Sequence, residues 1–259
     1  MTHILIFNYL SINYFLFPIN LTLNNMLGNL YLIPNTLGNS ETCWTIPPNV
    51  VAVAQKLRYF IVEDIRTARR YLKLLDKSII IDDLQFFILN KHTSSAELST
   101  FLTPLKDGFD VGIISEAGCP AVADPGAEIV RMAHEIGIKV VPLTGPSSII
   151  LALSASGLNG QNFAFNGYLP VNKEDRIKAI RYFENRSKNE NQSQIFIETP
   201  YRNMVLFEDI LNNCHASTLL CIACNITLPD EFIITQTIKQ WANNKPDLHK
   251  KPAIFIIQG

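Results

Sequence analysis

The sequence predicts an α/β protein of two domains, the first built on a mostly parallel sheet and the second on a mixed sheet. Three observations carry this. From residue 29 to about residue 145, short apolar β runs alternate with helical periods of about a dozen residues. Turns rich in Gly, Pro and acidic residues follow several of the apolar runs, as expected where a strand's carboxyl end meets a helix. After Thr144-Gly145-Pro146-Ser147-Ser148 the rhythm changes, and apolar runs crowd together with less helix between them, as in a mixed sheet.

The elements follow in order. NLYLIP (29–34) reads as the first strand, VVAVAQKL (50–57) as an amphipathic helix and YFIVE (59–63) as the second strand. In DIRTARRYLKLLD (64–76) the residues Ile65, Ala68, Tyr71, Leu72 and Leu75 share one helical face. LQFFIL (84–89) is a strand, SSAELSTFLTPLKDG (94–108) one helix capped by Ser94 or Ser95, and DVGIIS (110–115) a strand. AEIVRMAHEIG (127–137) is a helix and KVVPL (139–143) a strand. Such units cross over right-handed, and their ligands sit outside the carboxyl ends of the strands.

A domain boundary falls between Leu143 and Pro146, dividing residues 26–145 from 146–259. Beyond it SSIILALSASG (147–157) is a helix, FAFNGYLP (163–170) a strand, KEDRIKAIRYFENRSK (173–188) a charged helix, QIFIE (194–198) a strand and PYRNMVLFEDILNN (200–213) a helix. LLCIACNITLP (219–229), EFIITQTIKQW (231–241) and PAIFIIQ (252–258) read as strands.

Composition narrows the function. With 259 residues, 47% apolar and 17% charged, the chain has ample material for a core. Its 22 basic and 23 acidic residues leave a net charge of −1, which excludes a global positive field, so any RNA contact is local. Five Cys residues, an odd number in a chain without a clear secretion signal, point to the cytoplasm. Residues 1–25 are rich in Ile, Leu, Phe and Tyr, but Asn8, Ser11, Asn13, Pro18 and Asn20 interrupt the run and no Lys or Arg precedes it. They read as an extension upstream of a functional start at Met26, with a membrane anchor as the alternative.

Standard sites are absent. There is no G-x-x-x-x-G-K-[ST] and no G-x-S-x-G, and GLNGQNFAFNG (157–167) lacks the G-x-G-x-x-G spacing. Cys221 and Cys224 lie on opposite faces of a strand and read as core thiols. His3, His92, His134, His215 and His249 have no metal-ligand spacing, so no metal is expected. Lys173, Arg176, Lys178, Arg181, Arg186 and Lys188 alternate with Glu174, Asp175, Glu184 and Glu190 and read as a solvated helix face, while His249, Lys250 and Lys251 form a smaller basic cluster.

What remains is an ordered set of turns: PNTLGN (34–39), VEDIRT (62–67), SEAGCPAVADPG (115–126), TGPSS (144–148) and ETPYR (198–202). The third is far longer than the about two to six residues of an ordinary βα loop. Together the turns resemble those of the tetrapyrrole methylase superfamily, most closely its branch of small-subunit ribosomal RNA 2′-O-methyltransferases. That branch's P-T-P-x-G-N corresponds to Pro34-Asn35-Thr36-Leu37-Gly38-Asn39 and its E-D-T-R to Glu63-Asp64-Ile65-Arg66. Its S-D-A-G-T-P-x-x-x-D-P-G corresponds to Ser115 through Gly126, with Glu at 116 for Asp and Cys at 119 for Thr. The resemblance covers about residues 28 to 259 and does not include the helical C-terminal extension of many members.

The resemblance implies the class III methyltransferase fold, a homodimer, and S-adenosylmethionine folded into the cleft between domains. Carried across, Gly118, Cys119, Pro120 and Val122 lie against the methionine and ribose part, with Ser147 and Ser148 closing the other side. Pro34, Gly38, Ser115, Glu116, Ala117 and Asp124 belong to the same floor. Glu198, Thr199, Ala223, Asn225, Ile226, Pro252 and Ala253 wrap the adenosine. The implied partner is ribosomal RNA or the small ribosomal subunit, with neither membrane nor metal.

Methyl transfer is an in-line displacement that relies on proximity and on removing a hydroxyl proton. Asp64 or Glu63 is the candidate base, with Arg66 and Arg202 positioning phosphate or ribose. The structural alternative for Asp64 and Arg66 is a helix cap with a surface ion pair. Two other functions stay open: methylation of a tetrapyrrole or other small molecule, which the missing G-x-G-x-G-D turn disfavours, and S-adenosylmethionine binding without catalysis.

Overall fold

The computed structural model describes residues 27–39, 41–90 and 93–259. The expected extension, residues 1–25, lies outside them, as do His3 and His92.

Strands β1 (Leu30–Ile33), β2 (Tyr59–Val62), β3 (Gln85–Ile88), β4 (Val111–Ile114) and β5 (Val140–Pro142) form an all-parallel sheet in the order β3-β2-β4-β1-β5. Around them lie helices α1 (Thr42–Thr45), α2 (Pro48–Ala54), α3 (Ile65–Leu75), α4 (Ser95–Phe101), α5 (Thr103–Lys106) and α6 (Gly126–Glu135). Strand alternation assigns the two faces. Phe60, Val62 and Ile114 pack with Ala68, Tyr71 and Leu72 of α3, while Ile61, Val111 and Ile113 pack with Leu98 of α4 and Ile129 of α6. Both faces are covered, which is why these strands read as nearly continuous apolar runs.

The second half begins with α7 (Ser148–Ser156) and continues through β6 (Phe163–Tyr168), α8 (Lys173–Glu190), β7 (Ser193–Ile197), α9 (Asn203–Asn213), β8 (Leu219–Cys224), β9 (Phe232–Thr237), α10 (Ile238–Asn243) and β10 (Ala253–Gln258). The strand order is β6-β7-β10-β8-β9, with β6 and β7 parallel and the other pairs antiparallel. The sheet is therefore mixed, as expected. Cys224 of β8 joins the cluster under α8, α9 and α10, and Cys221 joins the one under α7, so these two thiols are buried on opposite faces.

Two segments differ from expectation, each for a local reason. The single helix expected over 94–108 is two, because Pro104 has no N–H to continue the first ladder and starts α5 instead. Ser94, not Ser95, is the N-cap, in a capping box with Glu97. The run EFIITQTIKQW leaves the sheet at Thr237, whose hydroxyl caps α10 while Gln240 reaches back to the Thr237 amide.

The solvated face expected on α8 also has an exception. Arg176 is buried, 2.6 Å from Asp209 of α9, and its guanidinium also donates to the carbonyls of Pro170 and Val171. Asp209 lies three residues past Leu206, among the buried positions of α9, so the ion pair locks α8 onto α9 inside the core. Removing one charge from such a pair costs more than the pair contributes, because the other is left desolvated. Asp209→Ala is expected to lower stability by about 3–5 kcal/mol, and Arg176→Met with Asp209→Leu to recover most of it. Urea unfolding of the three proteins measures both.

Candidate active site

In a parallel sheet all carboxyl ends lie on one edge, and the order β2-β4-β1-β5 sets four of the five turns side by side there. The turn after β1 is tied to the loop after β4 by a pair of backbone bonds, Asn35 N to Gly118 O at 2.9 Å and Gly118 N to Asn35 O at 3.2 Å. The Asn35 amide also donates to the carbonyls of Ser115 (2.9 Å) and Glu116 (3.2 Å), and Ser115 Oγ donates to Gly118 O. Gly118 sits at φ +69°, a conformation that favours glycine. The buried Tyr71 hydroxyl donates to Pro34 O from α3, and burial pushes its phenol pKa up. From the fourth turn, Gly145 approaches Pro34 so closely that a Cβ there would lie 2.2 Å from the proline ring.

Within the loop after β4, Ala121 and Ala123 both have positive φ, and Asp124 braces the loop around them. One Asp124 oxygen accepts from the amides of Ala121 and Gly126, each at 2.8 Å. Burial raises the Asp124 pKa, with those two hydrogen bonds opposing it.

The turn after β1 reaches across to the second sheet. Leu37 packs against the cluster formed by α7, β8 and β10, and the position of Gly38 leaves only 3.1 Å between a would-be Cβ and Leu228. Between the two sheets opens a first cavity of about 250 Å³. Its wall contains Leu37 and Ala117 from the first half, and Ser148, Tyr168, Ile197, Glu198, Pro200, Ala223, Ile226, Pro252, Ala253 and Ile254 from the second. A second cavity of about 510 Å³ shares Leu37 and Ala117 with it and is otherwise lined by Asn35, Thr36, Gly38, Asn39, Thr67, Arg70, Tyr71, Leu74 and Glu116.

Glu198 is the charged group of the first cavity. Its Oε1 accepts from the Thr199 amide at 2.7 Å, and its Oε2 lies 2.8 Å from Arg202 Nη2. The latter contact is an ion pair without the alignment of a hydrogen bond, so Oε2 keeps a free acceptor direction although the side chain is buried.

The expected site residues thus separate. Ala117, Ser148, Glu198, Ala223, Ile226, Pro252 and Ala253 line the first cavity, and Gly38, Glu116 and Ala117 the second. Ser115, Gly118, Pro34 and Asp124 shape the turns beneath. Ser147 is the N-cap of α7, and Asn225 hydrogen-bonds Asp230 at 2.6 Å from a left-handed backbone. Cys119 donates its thiol to Pro146 O at 3.5 Å, linking the third turn to the fourth, and burial raises its pKa. Pro120 is buried and Val122 is exposed.

The candidate bases Glu63 and Asp64, and Arg66 beside them, line neither cavity. Glu63 shares a crevice with Asp124, Arg66 is exposed, and Asp64 is the N-cap of α3. The Thr67 amide donates to Asp64 at 2.8 Å and holds its pKa below the ordinary value of 3.8, which weakens it as a proton acceptor. No ion pair joins Asp64 to Arg66 among the described residues. Among the residues not expected at the site are Leu37, Tyr168, Ile197, Pro200 and Ile254 in the first cavity, and Thr67, Arg70, Tyr71 and Leu74 in the second. The last four have the spacing i, i+3, i+4, i+7 of one helical stripe, a signal present in the sequence.

This architecture is that of tetrapyrrole-methylase-fold methyltransferases. The fold matches the uroporphyrin-III-C-methyltransferase from Thermus thermophilus at TM-score 0.52, with 16% identity, covering 89% of this chain and 92% of that one. It matches the methyltransferase CobJ at TM-score 0.59, with 14% identity, covering 88% and 93%. No family model matches the chain. Among curated proteins, ribosomal RNA small subunit methyltransferase I of Escherichia coli O157:H7 is 30% identical over 239 residues, 91% of this chain and 79% of the relative. The protein of the same name from Pasteurella multocida is 29% identical over 240 residues, 92% and 81%. The chain belongs to the ribosomal RNA small subunit methyltransferase I family and is a methyltransferase.

The cap on Asp64 has a pH signature. A depressed folded pKa means that the cap's contribution is present above the unfolded value and is lost as pH falls through the folded one. The Thr67 amide resonance is expected to titrate with a midpoint below 3.8 and to lose that titration in Asp64→Asn, which keeps a neutral cap. An NMR pH series reads both.

Proposed function

We propose that the chain transfers a methyl group from S-adenosylmethionine to the 2′-hydroxyl of a cytidine in small-subunit ribosomal RNA, as a cytoplasmic homodimer of two-domain subunits. The observation that carries this reading is the meeting of turn residues from both sheets on the first cavity, in a chain whose curated relatives bear the ribosomal RNA methyltransferase name.

The lining of the first cavity fits the cofactor. Ile197, Ala223, Ile226 and Ile254 offer an apolar wall for adenine, and the free acceptor direction of Glu198 Oε2 suits a ribose hydroxyl. Ser148, in the first turn of the nine-residue helix α7, offers a hydroxyl to a carboxylate. When bound, S-adenosylmethionine supplies an electrophilic methyl group. The protein's part is to exclude water, to orient the acceptor oxygen and to receive its proton.

An RNA partner also suits the rim. Tyr201 is 70% exposed beside the cavity residue Pro200, with Lys250 Nζ 5.9 Å from its ring centroid and the His249 ring edge-on at 6.3 Å. Exposed aromatics flanked by cations are the usual grip on single-stranded RNA, sequence-tolerant and strengthened by the phosphate charge. A net charge near zero makes such a local patch necessary.

Calorimetry is expected to show S-adenosylmethionine binding, and labelled methyl is expected to pass to small ribosomal subunits from cells lacking this activity. The label should sit in an alkali-resistant dinucleotide at one cytidine, since a methylated 2′-oxygen cannot attack the adjoining phosphate. Tight cofactor binding without incorporation would defeat the RNA reading, and absent binding would defeat the cofactor reading. Light scattering gives the subunit count.

A further inference from the structure

The geometry points to the second cavity as the pocket for the acceptor ribonucleotide, with Arg70 holding its phosphodiester and Glu116 receiving the 2′-hydroxyl proton; this rests on the function proposed above. At about 510 Å³ the cavity falls within the about 300–1,000 Å³ typical of small-molecule pockets. It shares Leu37 and Ala117 with the first cavity, so the two adjoin there, where a displacement requires the reacting atoms to come within about 3–3.5 Å of each other.

Arg70 carries the anion argument. Arg131, Arg176, Arg186 and Arg202 are each paired with a carboxylate, whereas Arg70 makes no ion pair or hydrogen bond among the described residues. An unpaired guanidinium lining a cavity is suited to a bidentate phosphate contact.

Glu116 carries the proton argument. Thr67 Oγ1 donates to Glu116 Oε1 at 2.6 Å, its shortest contact, although the same hydroxyl lies 3.0 Å and 3.1 Å from the backbone and carboxylate oxygens of Asp64. A hydroxyl has one proton, so the shortest contact takes it and one oxygen of Glu116 is fixed. The other, Oε2, makes no hydrogen bond among the described residues and is available to the substrate hydroxyl. Asp64 thus acts at one remove, capping α3 so that Thr67 points at Glu116.

The step balances with the oxygen–carbon bond formed, the carbon–sulfur bond broken, its electron pair left on sulfur, and the hydroxyl proton on the Glu116 carboxylate. Leu74 and the ring of Tyr71 give the ribose and base an apolar support beside these charges.

Two variants test this in the full chain. Arg70→Met is expected to weaken binding of unmodified small ribosomal subunits about tenfold, as loss of one charge-assisted contact predicts, with S-adenosylmethionine affinity unchanged. Glu116→Gln keeps an acceptor for Thr67 and is expected to leave both affinities within about twofold while slowing single-turnover transfer about 100-fold or more. Both side chains are exposed, so thermal unfolding should match the parent protein. A parent enzyme that methylates the subunits, with Arg70→Met binding them normally or Glu116→Gln transferring at the parent rate, overturns this assignment alone. A parent enzyme that binds cofactor but never methylates RNA overturns it together with the proposed function.

Discussion

The paired backbone bonds between Asn35 and Gly118 are the constraint on which the rest of the site depends. They join the ends of two neighbouring parallel strands beyond the sheet, where parallel pairing would otherwise stop, and run antiparallel there. The Asn35 amide then satisfies carbonyls of the loop after β4, which would otherwise be left unpaired near the core. With both loops held, Leu37 packs against the second sheet and borders both cavities.

Charge is distributed in two ways around these cavities. Arg176 and Asp209 are withdrawn from water and committed to each other, and the buried Glu198 carboxylate is paired with the partly exposed Arg202; these pairs set the positions of helices and of the cavity wall. Arg70 and Glu116 remain in reach of solvent and share no direct contact. The first kind of pair is costly to break and contributes rigidity. The second kind is cheap to keep open, because water solvates it until a ligand takes water's place.

The fold was largely legible. The continuous apolar runs YFIV and VGII specify strands covered on both faces, and the 3.6-residue spacing in α3 specifies its buried stripe. The errors came where a side chain competes with the backbone: Pro104 breaking one helix, and Thr237 with Gln240 starting another inside what read as a strand. Arg176 defeated the charge pattern, because its partner lies 33 residues away on another helix.

The sequence by itself determined the two α/β sheets and the set of turns at their strand ends, since these depend on local periodicity and backbone chemistry. Seven residues of the first cavity were named from the resemblance of the ordered turns to those of the family. Only the tertiary structure decided that Asp64 caps a helix while Arg70 and Glu116 face a second cavity. The physical reason is that Arg70 and Glu116 are 46 positions apart, on an α3 stripe and a β4 loop, and meet only because β2 and β4 are adjacent in the sheet.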